Sequence, residues 1–297
     1  MMDWDKLRVF HAVADAGSFT HAGDALNLSQ SAVSRQISAL EESLGVSLFH
    51  RHARGLVLTE QGEHLHQAVR HVVTRLAATE ALLAESKDVP KGPLKVTATT
   101  AFGSTWLTPR IPEFLELYPD VELTLLLDDS ELDLSMREAD VAIRVNTPRQ
   151  PDLIQRHLMT IHSHLYAHQS YVSRRGVPRT RAELGGHELI SFPLGMRAPF
   201  ANVQWILDAV EGPPRPGQPA LQVNSVYAIY RAVECGMGIA ALPDFLMHDA
   251  RDFVRVLPEI GGPKIEAYFV YAEELRHSKR IAVFREFLLR KVAESRF

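Results

Sequence analysis

The stretch from Leu28 to Gly45, LSQSAVSRQISALEESLG, most constrains the fold because it encodes a helix with two different faces. At about 100° per residue, Val33, Ile37, Leu40 and Leu44 fall on one side of such a helix. Their spacing of four, three and four residues is typical of an apolar stripe that packs on a core. This side of the helix is therefore expected to be buried.

The opposite side of the same helix carries hydroxyl, amide and guanidinium groups where Glu and Lys would be usual. These residues are Gln30, Ser31, Ser34, Arg35 and Ser38. Short polar side chains can hydrogen-bond a neighbouring surface, and an arginine can reach a phosphate or bind a guanine edge through two hydrogen bonds. The pattern predicts a helix that reads DNA. The alternative is a three-helix interaction domain whose polar stripe is only hydrated.

The preceding segment reads as two shorter helices. In the first, Leu7, Phe10, His11 and Ala14 follow helical spacing, and Gly17 is typical of a helix end.

The second short helix is expected to begin after Ser18 or Thr20 and to end near Leu26, where Asn27 tolerates a left-handed turn. Ser29 is then expected to cap the third helix. Two helices joined by a turn of about three or four residues constitute a helix-turn-helix, whose second helix enters the major groove.

After Gly45, an apolar run, a basic turn around Gly55 and a second apolar run predict a two-stranded wing. Arg51 and Arg54 lie in this wing, with Arg54 at its tip, where a guanidinium can enter a minor groove. The predicted DNA-binding residues are thus Gln30, Ser31, Ser34, Arg35, Ser38, Arg51 and Arg54.

Four histidines follow in the wing and the next helix, but we predict no metal site and no cofactor. The sequence places no Cys or acidic partners at metal-ligand spacing around them. They are His50, His52, His64 and His66.

Residues 62–86 contain no proline and no glycine beyond Gly62, and their apolar positions alternate steps of four and three. A helix of this length cannot bury that seam against a domain of about sixty residues alone, so the pattern predicts at least a homodimer. The predicted dimerisation residues are Leu65, Val69, Val72, Leu76 and Leu83. We expect residues 1–62 to bind DNA, residues 63–91 to form the linker helix and hinge, and residues 92–297 to form a regulatory domain.

From residue 94 the pattern alternates short apolar strands with amphipathic helices, which predicts parallel sheets covered by helices. Helices are expected over 104–118, 132–137, 225–235 and 278–293. The stretch RHLMTIHSHLYAH predicts a strand-turn-strand that crosses into a second lobe. The fold class is therefore α/β: a winged helix-turn-helix, a long linker helix, and two lobes resembling a periplasmic binding protein. Lobe I is expected over 92–164 and 267–297, and lobe II over 165–266.

Ligands of such sheets bind beyond the carboxyl ends of strands, near helix N-termini. The predicted effector-binding residues at these places are Thr99, Thr100, Ser104, Asn146, Asn224, Ser225 and Pro243. Arg144 and Arg197 could add positive charge, which favours a small anionic effector bearing a carboxylate. The alternative is that the hydroxyls only cap helices.

Composition limits the remaining functions. The 297 residues are 46% hydrophobic and 23% charged with a net charge of −4, as in a soluble multidomain protein that is no polycation. No run reaches the roughly 18 apolar residues of a membrane span, and the acidic start MMDWDKLRVF is unlike a secretory signal, so a cytoplasmic protein is expected.

Cys235 is the one cysteine, so the chain cannot form an internal disulfide. We expect it to be a buried apolar cysteine at a helix C-terminus, with redox sensing as the alternative.

No nucleophile elbow, P-loop, zinc-protease motif or dinucleotide-binding glycine motif is present, so we predict no enzyme activity and no catalytic residue. A solute-binding protein is a further alternative, disfavoured by the helix-turn-helix.

The stretch FHAVADAGSFTHAGDALNLSQSAVSRQISALEESLGVSLFHRHARGLVLTEQG resembles the LysR-type transcriptional regulators nearly throughout. The resemblance implies a homodimer or homotetramer that binds an interrupted inverted repeat of double-stranded DNA in response to a small molecule, with RNA polymerase as a candidate partner. It also places Gln30, Ser31, Ser34 and Arg35 on the recognition helix and Arg54 on the wing.

Within the family, the stretches DWDKLRVFHAVADAGSFT, LFHRHARGLVLTEQGE and DLIQRHLMTIHSHLYA look similar to the LsrB/VtlR group. Two residues depart from the family pattern. Gly23 replaces the usual Ala, so the second helix is expected either to be looser or to approach its neighbour more closely; Ser31 replaces a common Pro and adds a hydroxyl.

Overall fold

The computed structural model describes residues 3–52, 55–84, 89–135, 137–145, 152–212, 217, 219–248 and 250–295. The chain divides into two compact units, residues 1–84 and residues 85–297.

The first unit contains four helices and a two-stranded antiparallel sheet. The helices are α1 Trp4–Ala16, α2 Phe19–Leu26, α3 Gln30–Leu44 and α4 Glu60–Ala84, and the strands are β1 Phe49–His52 and β2 Gly55–Leu58. This is the winged helix-turn-helix that the sequence predicts.

The helix ends in this unit follow the local signals in the sequence. Gly17, Asn27 and Gly45 end α1, α2 and α3 with φ values of 59°, 54° and 70°. Ser18, and not Thr20, is the residue before α2. The Ser29 hydroxyl accepts a hydrogen bond from the Ala32 N–H at 3.2 Å, as expected of a helix cap.

The core of the first unit lies between α1, α3, the wing and the start of α4. Val33, Ile37 and Leu40 of α3 are buried, as predicted, while Leu44 is half-buried.

Helix α1 forms and ends at Gly17, as its residue spacing predicts. Val9, Phe10 and Val13 are its buried residues, whereas Leu7, His11 and Ala14 are half-buried. The reason is that α1 packs against α2, α3 and α4 together, which moves the centre of its buried face.

Gly23 lies where α2 approaches the following turn. A Cβ at this position would lie 2.6 Å from the Leu28 carbonyl oxygen. Of the two expected consequences of this glycine, the structure shows the close approach.

The apolar seam of α4 divides into two parts. Leu65 and Val69 pack into the core of their own unit, and Val69 is only 3% exposed. Val72 and Leu76 are each 47% exposed, and the side chain of Leu83 lies outside the described residues. The prediction that the whole seam needs a second copy is therefore wrong for Val69, which the small domain buries itself; Leu65 is half-buried and packs against the same core.

The second unit contains two five-stranded sheets. The first has the order β4-β3-β5-β12-β6, and the second has the order β11-β7-β10-β8-β9. The strands are β3 Gly92–Ala98, β4 Val121–Leu127, β5 Val141–Arg144, β6 Leu153–Ile161, β7 Ser163–His168, β8 Leu189–Ser191, β9 Leu221–Gln222, β10 Ile239–Pro243, β11 Phe253–Gly261 and β12 Ile265–Ala272.

The sheets are mixed, whereas the sequence predicts parallel sheets. β3 pairs parallel with β4 and β5, but β12 runs antiparallel to β5 and β6, and β7 runs antiparallel to β10 and β11. The strand that follows each crossing, β7 in one sheet and β12 in the other, runs in the opposite direction to the rest of its sheet. The crossings lie at His162 and at residues 262–264, close to the expected lobe boundaries.

The helix predicted over 104–118 begins earlier and is irregular. It consists of α5 Thr100–Phe102, a π-helical turn Gly103–Leu107, a 3-10 turn Thr108–Arg110 and α6 Ile111–Leu117. Ser104 therefore lies inside the helical segment and not at its start.

The short helix expected over 132–137 is absent from the described residues of that segment, which form turns. The remaining helices are α7 Gln169–Arg175, α8 Arg181–Leu184, α9 Trp205–Ala209, α10 Val226–Glu234 and α11 Lys279–Glu294. The last two match the helices predicted over 225–235 and 278–293.

Cys235 is exposed, so the expectation of a buried cysteine is wrong. Cys235 directly follows the last turn of α10. Its neighbours Val233 and Gly236 are buried, whereas the cysteine itself faces solvent. A search of the described helices finds none with the length and apolarity that a bilayer crossing requires.

Candidate functional sites

The outward face of α3 carries the polar residues singled out from the sequence. Four of them are exposed, and one, Ser34, is half-buried. The exposed residues are Gln30, Ser31, Arg35 and Ser38. This face is therefore open to an external partner.

Arg35 is held along the helix by its own backbone. Its Nε donates a hydrogen bond to the Ser31 carbonyl oxygen at 3.3 Å, and the Ser31 hydroxyl lies 3.1 Å from the Ser29 hydroxyl. No carboxylate pairs with Arg35 among the described residues. The terminal nitrogens of the guanidinium can therefore donate to an external acceptor such as a phosphate or a base edge.

The wing is attached directly to α3. Glu41 Oε1 accepts hydrogen bonds from the Leu48 N–H at 2.8 Å and the Phe49 N–H at 3.4 Å. Thr59 Oγ1 donates to the Ser47 carbonyl oxygen at 2.8 Å on the other side of the wing. These bonds fix β1 and β2 relative to the outward face of α3. The side chain of Arg51 and all of Arg54 lie outside the described residues.

One predicted histidine does meet an acidic partner. His66 Nε2 lies 2.9 Å from Asp15 Oδ1, and the same carboxylate lies 3.5 Å from His11 Nε2. Burial lowers the pKa of His11, and the attraction of Asp15 opposes that effect only in part. The expectation that these histidines lack acidic partners is thus wrong for His66, because its partner comes from α1 and not from nearby sequence.

The second unit contains a cleft between its two sheets, formed by two adjoining cavities. The polar cavity contains about 440 Å³ of empty space and the apolar cavity about 320 Å³, in each case including space open to solvent. Thr99, Asp129, Val145 and Pro199 line both of them. The cleft lies beyond the carboxyl ends of β3 and β5, where ligands of such sheets bind.

The cleft brings together some of the predicted effector residues. Thr99 lines both cavities, Pro243 lines the apolar one, and Arg144 and Arg197 line the polar one.

Other predicted effector residues lie elsewhere. Thr100, Ser104, Asn224 and Ser225 are not among the lining residues, and Asn146 lies outside the described residues. The Ser225 hydroxyl accepts from the Ala228 N–H at 3.3 Å, so this residue caps α10, as the alternative expects.

Two acidic residues of the cleft, Asp128 and Asp129, are not among the effector-binding residues predicted from the sequence. Asp129 Oδ1 accepts a hydrogen bond from the Thr100 N–H at 2.9 Å, and Asp128 Oδ1 accepts one from the Ser130 N–H at 2.8 Å. The bonds from Ser130 hold the pKa of Asp128 below its usual value. Both residues directly follow the apolar strand β4, a position in the sequence that indicates cleft residues in sheets of this kind.

The two arginines of the cleft already have partners. Arg144 is buried and donates to the Leu132 carbonyl oxygen; burial lowers its pKa, and Glu131 and Asp133 oppose that effect. Arg197 lies 3.3 Å from a Glu131 oxygen, an ion pair that joins the two sides of the cleft.

Comparison with known proteins gives both parts of the chain a match. Residues 4–63 match the family model described as a bacterial regulatory helix-turn-helix protein of the lysR family, and residues 87–293 match the LysR substrate binding domain. An HTH-type transcriptional regulator of Xanthomonas campestris pv. campestris is 30% identical over 297 residues, which cover 98% of this chain and 86% of that protein.

Two solved structures are similar over nearly the whole chain. CrgA, a LysR-type transcriptional regulator from Neisseria meningitidis, has a TM-score of 0.58 and 27% identity, covering 98% of this chain and 99% of CrgA. Full-length CbnR in complex with its target DNA has a TM-score of 0.66 and 24% identity, covering 98% and 100%, and shows a shared fold.

Proposed function

The chain belongs to the LysR family of bacterial transcriptional regulators, and we propose that it binds an interrupted inverted-repeat operator as a homo-oligomer and responds to a small molecule in its cleft. The observation that carries the proposal is the two-faced α3 helix. Its apolar side is buried in the core, while Gln30, Ser31 and Arg35 face outward on a helix whose position is fixed by the wing. The match of residues 4–63 to the lysR-family helix-turn-helix model favours DNA binding over a polar stripe that is only hydrated.

An inverted repeat requires two copies of the reading helix, since each half-site takes one. Val72 and Leu76 supply an exposed apolar surface on α4 for that contact. Leu65 and Val69 are left out of the proposed contact because they pack in the core of their own domain, where Val69 is buried and Leu65 half-buried. A homodimer and a homotetramer both satisfy this requirement.

Several finer expectations stay predictions. These are minor-groove binding by Arg54, a surface role for Arg51, contact with RNA polymerase and placement within the LsrB/VtlR group. The redox alternative gains only the exposure of Cys235, at a helix end whose dipole disfavours a thiolate.

The proposed function is tested by selection of genomic DNA fragments with the purified full-length protein. We expect enriched fragments to share an inverted repeat whose half-sites are separated by whole turns of the duplex, about 10 base pairs each. Arg35→Ala is the matched variant. Arg35 is exposed, so the substitution removes its proposed contacts with the bases without changing the core. If the protein bound all genomic fragments with equal affinity at low ionic strength, the result would contradict the proposal.

A further inference from the structure

The cleft of the second unit is polar at one end and apolar at the other. Val145, Phe200, Val226 and Phe245 are among the residues of its apolar cavity, and Asp128, Asp129 and Glu131 are among those of its polar cavity. A molecule that fills both cavities must therefore carry an apolar body and a polar end.

The charges of the polar cavity do not suit an anion. Three of its lining residues are acidic and two are basic, and both basic groups are engaged: Arg144 by the Leu132 carbonyl and Arg197 by Glu131. Asp128 and Asp129 have no cationic partner among the described residues. Because three carboxylates outnumber two guanidinium groups, the lining residues of this cavity carry a formal net charge of −1.

A second observation concerns the backbone amide on which the anion hypothesis depends. The Thr100 N–H, at the start of the helical segment after β3, is already bonded to Asp129 Oδ1 at 2.9 Å. An anionic effector at this amide would have to displace the protein's own carboxylate and would meet a like charge within a few ångströms.

Asp129 is also placed where the two cavities meet, since it lines both. Asp129 therefore lies beside the boundary between the polar end and the apolar end, and only its Oδ1 is bonded to the Thr100 N–H. A charge-assisted hydrogen bond from a protonated nitrogen is the interaction that a carboxylate in this position makes most strongly.

We propose that the effector of this regulator is a small cation, with a protonated nitrogen that pairs with Asp129 and an apolar body that contacts Phe200, Val226 and Phe245. This inference rests on the proposed function, because it names the ligand class of the same cleft. It replaces the anionic effector that the sequence alone favours.

The test uses three probes with the same phenyl body and different end groups: 2-phenylethylamine, 2-phenylethanol and 3-phenylpropanoate. Their binding to the full-length protein is measured by isothermal titration calorimetry near neutral pH. We expect the amine to bind about tenfold or more tightly than the carboxylate, as one charge-assisted hydrogen bond implies. The alcohol should fall between them.

Asp129→Asn tests the residue itself. The amide oxygen of Asn can still accept from the Thr100 N–H, so the variant removes the charge and keeps the local hydrogen bond. We expect it to abolish the preference for the amine over the carboxylate. Asp208→Asn is the control, because it removes the same charge from an exposed position on α9 that does not line the cleft; it should keep the wild-type preference.

The outcomes separate the ligand class from the proposed function, because operator selection by the same protein preparation is measured without any probe. Tighter binding of the carboxylate, equal binding of all three probes or binding of none overturns the cationic ligand while operator selection still supports the regulator. An unchanged preference in Asp129→Asn overturns the assignment to Asp129. Loss of operator selection with amine preference intact contradicts the proposed function instead.

Discussion

Asp15 of α1 and His66 of α4 are joined by a hydrogen bond of 2.9 Å between Oδ1 and Nε2, although 51 positions separate them in the chain. His11 lies on the other side of the same carboxylate, and its ring centroid is 5.3 Å from that of His66. The three side chains attach the N-terminal part of α4 to α1. Burial lowers the pKa of His11, so the protonation of His11 is coupled to the stability of the DNA-binding unit.

The first prediction concerns pH. Burial lowers the pKa of His11 in the folded protein, whereas in the unfolded chain an imidazole titrates near about 6.5. The unfolded state therefore binds the proton first as the pH falls, and the free energy of unfolding decreases from about pH 6.5 down to the folded pKa. Calorimetric unfolding midpoints between about pH 7.5 and 5.5 should decline less in His11→Gln than in the wild type.

His21→Gln is the control for this experiment, because His21 is an exposed histidine of the same domain. It should decline with pH as the wild type does. An identical decline in His11→Gln would show that burial of His11 is not a source of the pH dependence.

The second prediction concerns sequence reading by Arg35. Arg35→Ala should weaken binding to the selected operator by about 1 to 3 kcal/mol if the side chain binds a base edge. Arg35→Lys retains the charge but cannot form the two parallel hydrogen bonds, so it should recover only the sequence-independent part. Both are measured by titration against the operator and a scrambled duplex at the same salt concentration.

Equal losses on the two duplexes would assign Arg35 to a phosphate contact. An unchanged affinity for both would remove it from the interface.

The third prediction concerns Gly23. Alanine in place of an exposed helical glycine stabilises a helix by about 1 kcal/mol, but here the added Cβ would lie 2.6 Å from the Leu28 carbonyl oxygen. We expect Gly23→Ala to reduce the free energy of unfolding by about 1 to 3 kcal/mol, the usual effect of overpacking. Thr20→Ala, at an exposed position of the same helix, should leave it nearly unchanged; a stabilised Gly23→Ala protein would mean that the turn can move.

The fourth prediction concerns assembly. Leu76→Glu should convert the oligomer to a smaller species in light scattering, because a carboxylate replaces an exposed apolar residue of the proposed contact. Val57→Glu is the control, since Val57 is 56% exposed and belongs to β2 of the wing instead of α4. A wild-type mass in Leu76→Glu would place the contact on another surface.

Local features of the first unit could be predicted from the sequence. The caps at Gly17, Asn27 and Ser29 depend on residues within one helical turn, and the two faces of α3 depend on a period of 3.6 residues. Contacts between distant segments could not be predicted in this way. Val69 has the spacing of a dimer seam, yet it packs into the core of its own domain because the wing and α1 reach it.

In the candidate cleft, too, local features could be predicted from the sequence and contacts between distant segments could not. Its location beyond the strand ends followed from the alternation of strands and helices. Its charge did not, because the decisive contact joins Thr100 to Asp129, 29 residues further along the chain. A hydroxyl group after a strand gives the same local sequence pattern whether it faces a ligand or caps a helix. The sequence therefore does not distinguish Thr99 from Ser225. In the structure Thr99 lines the cleft, whereas Ser225 caps α10.

The chain passes between the two sheets at His162 and at residues 262–264, and within the described residues no strand of one sheet pairs with a strand of the other. Rotation of one sheet relative to the other about these two short connections leaves every ladder hydrogen bond intact. The interactions lost on opening are side-chain contacts such as the Glu131–Arg197 pair and the packing of Phe102 on Phe245. The sheet ladders therefore do not oppose a change in the angle between the lobes, and a bound molecule that contacts both lobes can bias that angle.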